Sequence, residues 1–189
     1  PEAMAAQLKS EVLLSRHIVG IRSRKDAVEL HTKDDQVLRA RYCLCTVPFS
    51  ALRHIRLDPL VLGKQQNAIE NIGYTPVFQA HFVATRKFWQ QDELPPSMWT
   101  DRKLGRFMAL RNDPKNPDEI TSYVAFVNGT AAEHLDRLAP DAAAEFLLAD
   151  LARIRPATKG ALKAVKVWSW NRNPFAGGAY AYWKPGQIG

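Results

Sequence analysis

Apolar spacing switches repeatedly between a two-residue and a helical period along this chain, and that interleaving excludes an all-helical or all-strand fold. Val77 to Ala84 reads as a strand, and Leu162 to Trp170 as another. Trp99 to Leu110 reads as a hairpin turning over Asp101 to Gly105, and Ile120 to Val127 as a strand broken by Asn128-Gly129. Between them lie helical stretches. Ala68, Ile69 and Ile72 mark one from Lys64. Thr130 caps another that carries Ala131, Ala132 and Leu135. Asp141, after Pro140, opens a stronger one with Phe146, Leu147, Leu148 and Leu151.

The first fifty residues have a different texture. Met4 to Leu8 predicts a short amphipathic helix or the last turns of one, and Val12 to Leu14 a short strand. Strands at Ile18 to Arg24, Ala27 to Thr32 and Val37 to Tyr42, with a turn at Asp34-Asp35, form a β-meander. Cys43 to Val47 is a mostly apolar run of the kind a buried strand shows, and Pro48 stops it. Cys43 and Cys45 are expected there as small buried hydrophobes, since alternate strand residues cannot form a disulfide and two thiols do not make a metal site. The fold class is α+β: a mixed-sheet domain with flanking helices plus the meander.

Five Trp, five Tyr and eight Phe require a packed surface, which argues against disorder. The net charge of +7 is spread along the chain with no basic block, so no nucleic-acid partner is expected. No apolar run approaches the ~20 residues that span a bilayer, so no membrane segment is expected. The chain opens on Pro1-Glu2-Ala3-Met4, which reads as the middle of a longer sequence, with no signal segment. Without a disulfide framework either, the cytoplasm is the favoured compartment.

Three segments carry a resemblance. The first is Ser15 to Ile21 with Arg41 to Pro48. The second is Lys87-Phe88-Trp89 with Met98-Trp99-Thr100-Asp101. The third is Trp168-Ser169-Trp170 through Asn173-Pro174, Gly177-Gly178-Ala179-Tyr180 and Pro185-Gly186-Gln187. In this order and at these intervals the chain resembles the flavin monoamine oxidase and L-amino-acid oxidase family, bacterial members especially. The resemblance implies that residues 1–49 are part of an FAD-binding domain, 50–165 a substrate domain, and 166–189 a return to the FAD-binding domain. It further implies oxidation of an amine or amino acid, with molecular oxygen as second substrate, and leaves a homodimer open.

The family's glycine-rich dinucleotide turn is absent: no G-x-G-x-x-G occurs, and the only adjacent glycines are Gly177-Gly178. The family's closing flavin segment is missing as well. The chain is therefore expected to be an internal to C-terminal piece that is inactive alone. Residue by residue, the resemblance places the backbone of Ile18 against the adenine end of FAD, and Thr46, Val47 and Pro48 close to the cofactor. Trp170, Gly178 and Ala179 fall beside the flavin. Tyr180 matches one wall of an aromatic cage in front of it, where a π face favours an amine. Ala179 stands where animal monoamine oxidases carry the cysteine that bonds flavin, so FAD would be noncovalent. Gln79 falls where many members place a lysine that holds a water against flavin N5; a slip of two would put His81 there. Arg111 and Arg172 are candidates for a carboxylate on charge alone.

Overall fold

The computed structural model describes residues 1–187, so the last two residues of the stretch 166–189 lie outside the described residues. The chain forms two compact units, which meet in sequence between Asn71 and Ile72.

In the first unit, β1 (Ile18–Ser23), β2 (Val28–Thr32) and β3 (Val37–Ala40) form the antiparallel meander. Its second turn is closed by Thr32, whose hydroxyl accepts from the Gln36 amide at 3.0 Å and donates to the Gln36 carbonyl at 3.2 Å. The residues from 50 to 71 stay with this unit. β4 (Arg56–Asp58) adds to β1 in parallel, giving the order β3-β2-β1-β4. Two helices complete it: α2 (Phe49–Leu52), which buries Ser50, Ala51 and Leu52, and α3 (Gly63–Asn71), which buries Ile69.

Three expectations fail here. The opening helix, α1 (Glu2–Ala5), lies earlier than Met4 to Leu8 and buries nothing. Val12 to Leu14 forms no strand and is exposed. The run from Cys43 to Val47 is neither strand nor core: both thiols are exposed, and Leu44 is 90% exposed. A strand exists only through a neighbour that completes its hydrogen-bond ladder. Among the described residues no ladder reaches either segment, so apolar composition alone cannot bury them.

The second unit holds the main core. β6 (Val77–Ala84) lies between β10 (Leu162–Ser169) and the central strand β9 (Ser122–Asn128) of a five-stranded sheet that also holds β7 (Met98–Trp99) and β8 (Arg106–Leu110), in the order β10-β6-β9-β8-β7. Every neighbouring pair is antiparallel. Side chains alternate across the pleat. One face presents Phe78, Ala80 and Phe82 of β6, Tyr123, Ala125 and Val127 of β9, and Phe107 of β8. Phe88 of α4 (Phe88–Gln91), Ala132 and Leu135 of α5 (Gly129–Asp136) and Ala143, Ala144, Leu147 and Leu151 of α6 (Pro140–Ile154) belong to the same core. Tyr123 stacks on Phe107 with centroids 4.8 Å apart.

Helix starts depart slightly from expectation. Asn128, not Thr130, stands at the α5 N-cap, and Gly129, at φ +62°, turns the chain there and donates its N–H to the Pro76 carbonyl. α6 begins at Pro140, one residue before Asp141, where a missing N–H costs nothing. Arg102, in the hairpin turn, reaches the buried Asp150 of α6 at 2.7 Å through Nε. A short strand, β5 (Gly73–Tyr74), precedes β6 and pairs with β11 (Ala181–Tyr182).

Candidate functional site

The face of the five-stranded sheet opposite the helices carries one row of side chains that crosses all five strands. Gln79 of β6 is directly opposite Trp168 of β10 on one side and Phe126 of β9 on the other; Phe126 is opposite Arg106 of β8, and Arg106 opposite Trp99 of β7. Directly opposed residues share a face, so Trp168, Gln79, Phe126, Arg106 and Trp99 stand side by side. Gln79 is half-buried, and its side-chain amide bonds to no described residue. Next to this row, His81 is opposite Lys166 and Val124. Burial, and then the charge of Lys166, hold the His81 imidazole below its ordinary 6.5, so it is neutral near pH 7. Lys166 Nζ lies 5.3 Å from the Trp168 ring centroid.

The segment after β10 turns back toward the start of β6. Trp170 donates its N–H to the Val77 carbonyl and meets Trp168 edge-on, with centroids 6.1 Å apart. Gly178 donates to the Trp170 carbonyl and Ala179 to the Thr75 carbonyl, while the Tyr180 carbonyl accepts from the Thr75 N–H. The next two residues form β11 against β5. The fold thus brings Trp170, Gly178, Ala179 and Tyr180 to the stretch immediately before β6, the strand that carries Gln79. Tyr180 is 55% exposed.

Gly178 has a local reason to be glycine. Its φ is +123°, and a Cβ there would lie 2.8 Å from Tyr74 Cβ and 3.1 Å from the Thr75 carbonyl. The close approach is to the chain's own backbone, and it fixes where Ala179 and Tyr180 emerge.

The other cofactor candidates belong to the first unit. Ile18, half-buried, opens β1 opposite Thr32. Thr46 and Val47 lie in the exposed segment, and Pro48 stands at the N-cap of α2. Arg111 Nε donates to the Asp118 carbonyl at 3.3 Å. Arg172 Nη1 donates to the Asp136 carbonyl at 3.2 Å and lines a cavity of about 460 Å³ with Phe78, Leu135, Trp168 and Phe175; neither Gln79 nor Tyr180 lines it.

Sequence reasoning missed Phe126 and Arg106. Strand alternation was available in β8 and β9, but nothing local says which residue of one strand opposes which of the next. The donor set suits the ring end of a flavin dinucleotide better than its phosphate end. Aromatic faces and the unengaged Gln79 amide are present, whereas among the described residues no glycine-rich turn at a helix start offers backbone N–H groups to a pyrophosphate. Among the described residues no His, Cys, Asp or Glu cluster could hold a metal, and no helix is long and apolar enough to cross a membrane.

A sequence model of the family described as flavin containing amine oxidoreductase matches residues 1–189. The flavin-containing amine oxidase of Danio rerio is 23% identical over 188 residues, covering 98% of this chain and 36% of that protein. The L-amino-acid oxidase BjussuLAAO-I of Bothrops jararacussu is 21% identical over 196 residues, covering 100% and 39%. Among solved structures, cyclohexylamine oxidase from Brevibacterium oxydans IH-35A shares the fold with a TM-score of 0.77 at 17% identity, over 93% of this chain and 39% of that one. The chain therefore spans less than two-fifths of the length of these relatives.

Proposed function

Because this chain belongs to the flavin containing amine oxidoreductase family, we propose that it is part of a longer FAD-dependent oxidase, comprising its substrate domain and pieces of its FAD-binding domain, that acts on a primary or secondary amine or an L-amino acid. The net reaction converts the amine to an imine while molecular oxygen becomes hydrogen peroxide. FAD supplies the two-electron acceptor that no side chain offers.

The chain's own residues orient the substrate and shield it from water. Tyr180 presents a π face to the amine nitrogen. Gln79 holds a water by hydrogen bonds without adding charge. Ala179 has no sulfur, so FAD is held without a thioether. Ile18 offers a backbone contact to the adenine end of the cofactor, Thr46, Val47 and Pro48 lie close to it, and Trp170 and Gly178 border its ring. The observation that carries this reading is the pinning of Gly178-Ala179-Tyr180 against Tyr74 and Thr75, next to the strand that holds Gln79.

The test uses the full-length protein. Tyr180→Ala should lower turnover with amines about tenfold or more, while Gln79→Lys should leave amine oxidation intact and speed the oxygen step, as read by stopped-flow absorbance. Acid precipitation should release all flavin. The 189-residue chain alone should lose FAD on gel filtration. Flavin retained by the precipitate would overturn the Ala179 assignment. A full-length protein that forms no peroxide from any amine or amino acid would instead mark a non-catalytic remnant or binding scaffold.

A further inference from the structure

The sheet face that carries Gln79 also holds a guanidinium to which the proposed function gives no task. Arg106 is half-buried, with its guanidinium carbon 4.7 Å from the Trp99 ring centroid and 5.0 Å from that of Phe126. Its Nε is shielded from solvent and donates to no described residue. No carboxylate reaches it among the described residues, whereas Arg102 meets Asp150 and Arg155 meets Asp92. Aromatic faces attract a cation but accept none of its five N–H bonds in good geometry. The rings therefore orient a planar fork whose donors no described residue engages, and such a fork suits a carboxylate held by two parallel bonds.

Its position supplies the second half of the argument. Phe126, which Arg106 touches, has Gln79 as its other cross-strand neighbour. Two strand spacings put the β6 and β8 backbones roughly 10 Å apart, a gap that a long arginine side chain narrows.

We infer that Arg106 binds the carboxylate of an amino-acid substrate, or of a carboxylate inhibitor, and so selects amino acids over simple amines. This rests on the proposed place of Gln79 in the substrate cavity. Trp99 and Phe126 act as positioning residues for the guanidinium.

Benzoate titration of the 189-residue chain tests the site without turnover. The wild type should show a saturable shift of the Arg106 Nε–H nuclear magnetic resonance signal and a change in tryptophan fluorescence. Arg106→Gln, with its fold checked by circular dichroism, should bind benzoate at least tenfold more weakly. Arg106→Lys should recover part of the loss, because it keeps the charge without the fork. In the flavin-loaded full-length protein, Arg106→Gln should raise KM for L-phenylalanine at least tenfold and leave KM for phenethylamine unchanged. Unaltered benzoate affinity in Arg106→Gln, or no response of the Arg106 signal in the wild type, would overturn the inference. If benzoate binds through Arg106 and neither substrate is oxidised, the carboxylate site stands and the oxidase reading fails. If phenethylamine is oxidised and Arg106→Gln changes neither benzoate binding nor the L-phenylalanine KM, the oxidase reading stands and the site fails.

Discussion

Asp92→Ala should be among the most destabilising single changes in the second unit. Arg155, at the end of α6, is 3% exposed, and its Nε and Nη2 meet the two Asp92 carboxylate oxygens at 2.7 and 2.8 Å. Nη1 donates to the Pro95 carbonyl at 2.8 Å and Nη2 to the Leu94 carbonyl at 3.2 Å, with the Phe88 ring 4.9 Å away. Removing one partner of a buried pair leaves an uncompensated charge and costs about 3–5 kcal/mol. The two carbonyls and the ring remain, and Asp92 is 18% exposed, so water can enter the vacated space. These place the loss near the lower end, at about 3 kcal/mol. With m-values of roughly 1–3 kcal/mol/M in urea, the midpoint should fall by about 1–3 M. Urea denaturation of the 189-residue chain followed by tryptophan fluorescence measures this directly. A loss below about 1 kcal/mol would put the pair in the class of exposed ion pairs and refute the reasoning. Asp92→Ala combined with Arg155→Met should recover much of the stability, because the orphaned charge is gone. The pH dependence has a definite sign. The Arg155 hydrogen bond is the main cause that holds the Asp92 carboxyl below its ordinary 3.8. Its stabilisation is therefore present above 3.8 and is lost as pH falls below that value toward the lowered folded one.

Two further outcomes follow from the second unit. Gly178→Ala meets both a Cβ clash with Tyr74 and Thr75 and an unfavourable φ, and should cost about 2 kcal/mol or more; Gly73→Ala should cost less, because the atoms nearest its Cβ would be those of the Tyr182 ring, which is 44% exposed and can swing away. Comparison of the two urea midpoints checks the order, and equal losses would contradict it. His81, whose folded pKa is depressed, stabilises the fold while neutral, so its contribution is present above 6.5 and declines as pH falls below that value. Lys166→Gln should move the His81 midpoint upward in a nuclear magnetic resonance titration, since it removes the second of the two causes; an unmoved or lowered midpoint would count against the assigned charge interaction.

Local sequence determined much of the secondary structure. Val77–Ala84 and the hairpin around Asp101 to Gly105 were legible, because alternation and turn chemistry are properties of neighbouring residues. That residue 179 is alanine, and so cannot form a thioether, needs no structure at all. Whether an apolar run is buried is another matter: Cys43 to Val47 has the composition of a core strand, yet among the described residues nothing pairs with it. The candidate site was legible as separate residues but not as an arrangement. Gln79, Trp168, Phe126, Arg106 and Trp99 come from five strands, and their order in space follows neither their order nor their spacing in the chain. A one-residue slip in any pairing would send part of that row to the helix-covered face, and the registers are set by which faces pack into the core. The core face of β6, β9 and β8 fixes them through Phe78, Ala80, Ala125 and Phe107. The opposite row, with the Arg106 guanidinium between two aromatic rings and two strands from Gln79, is what only tertiary packing could decide.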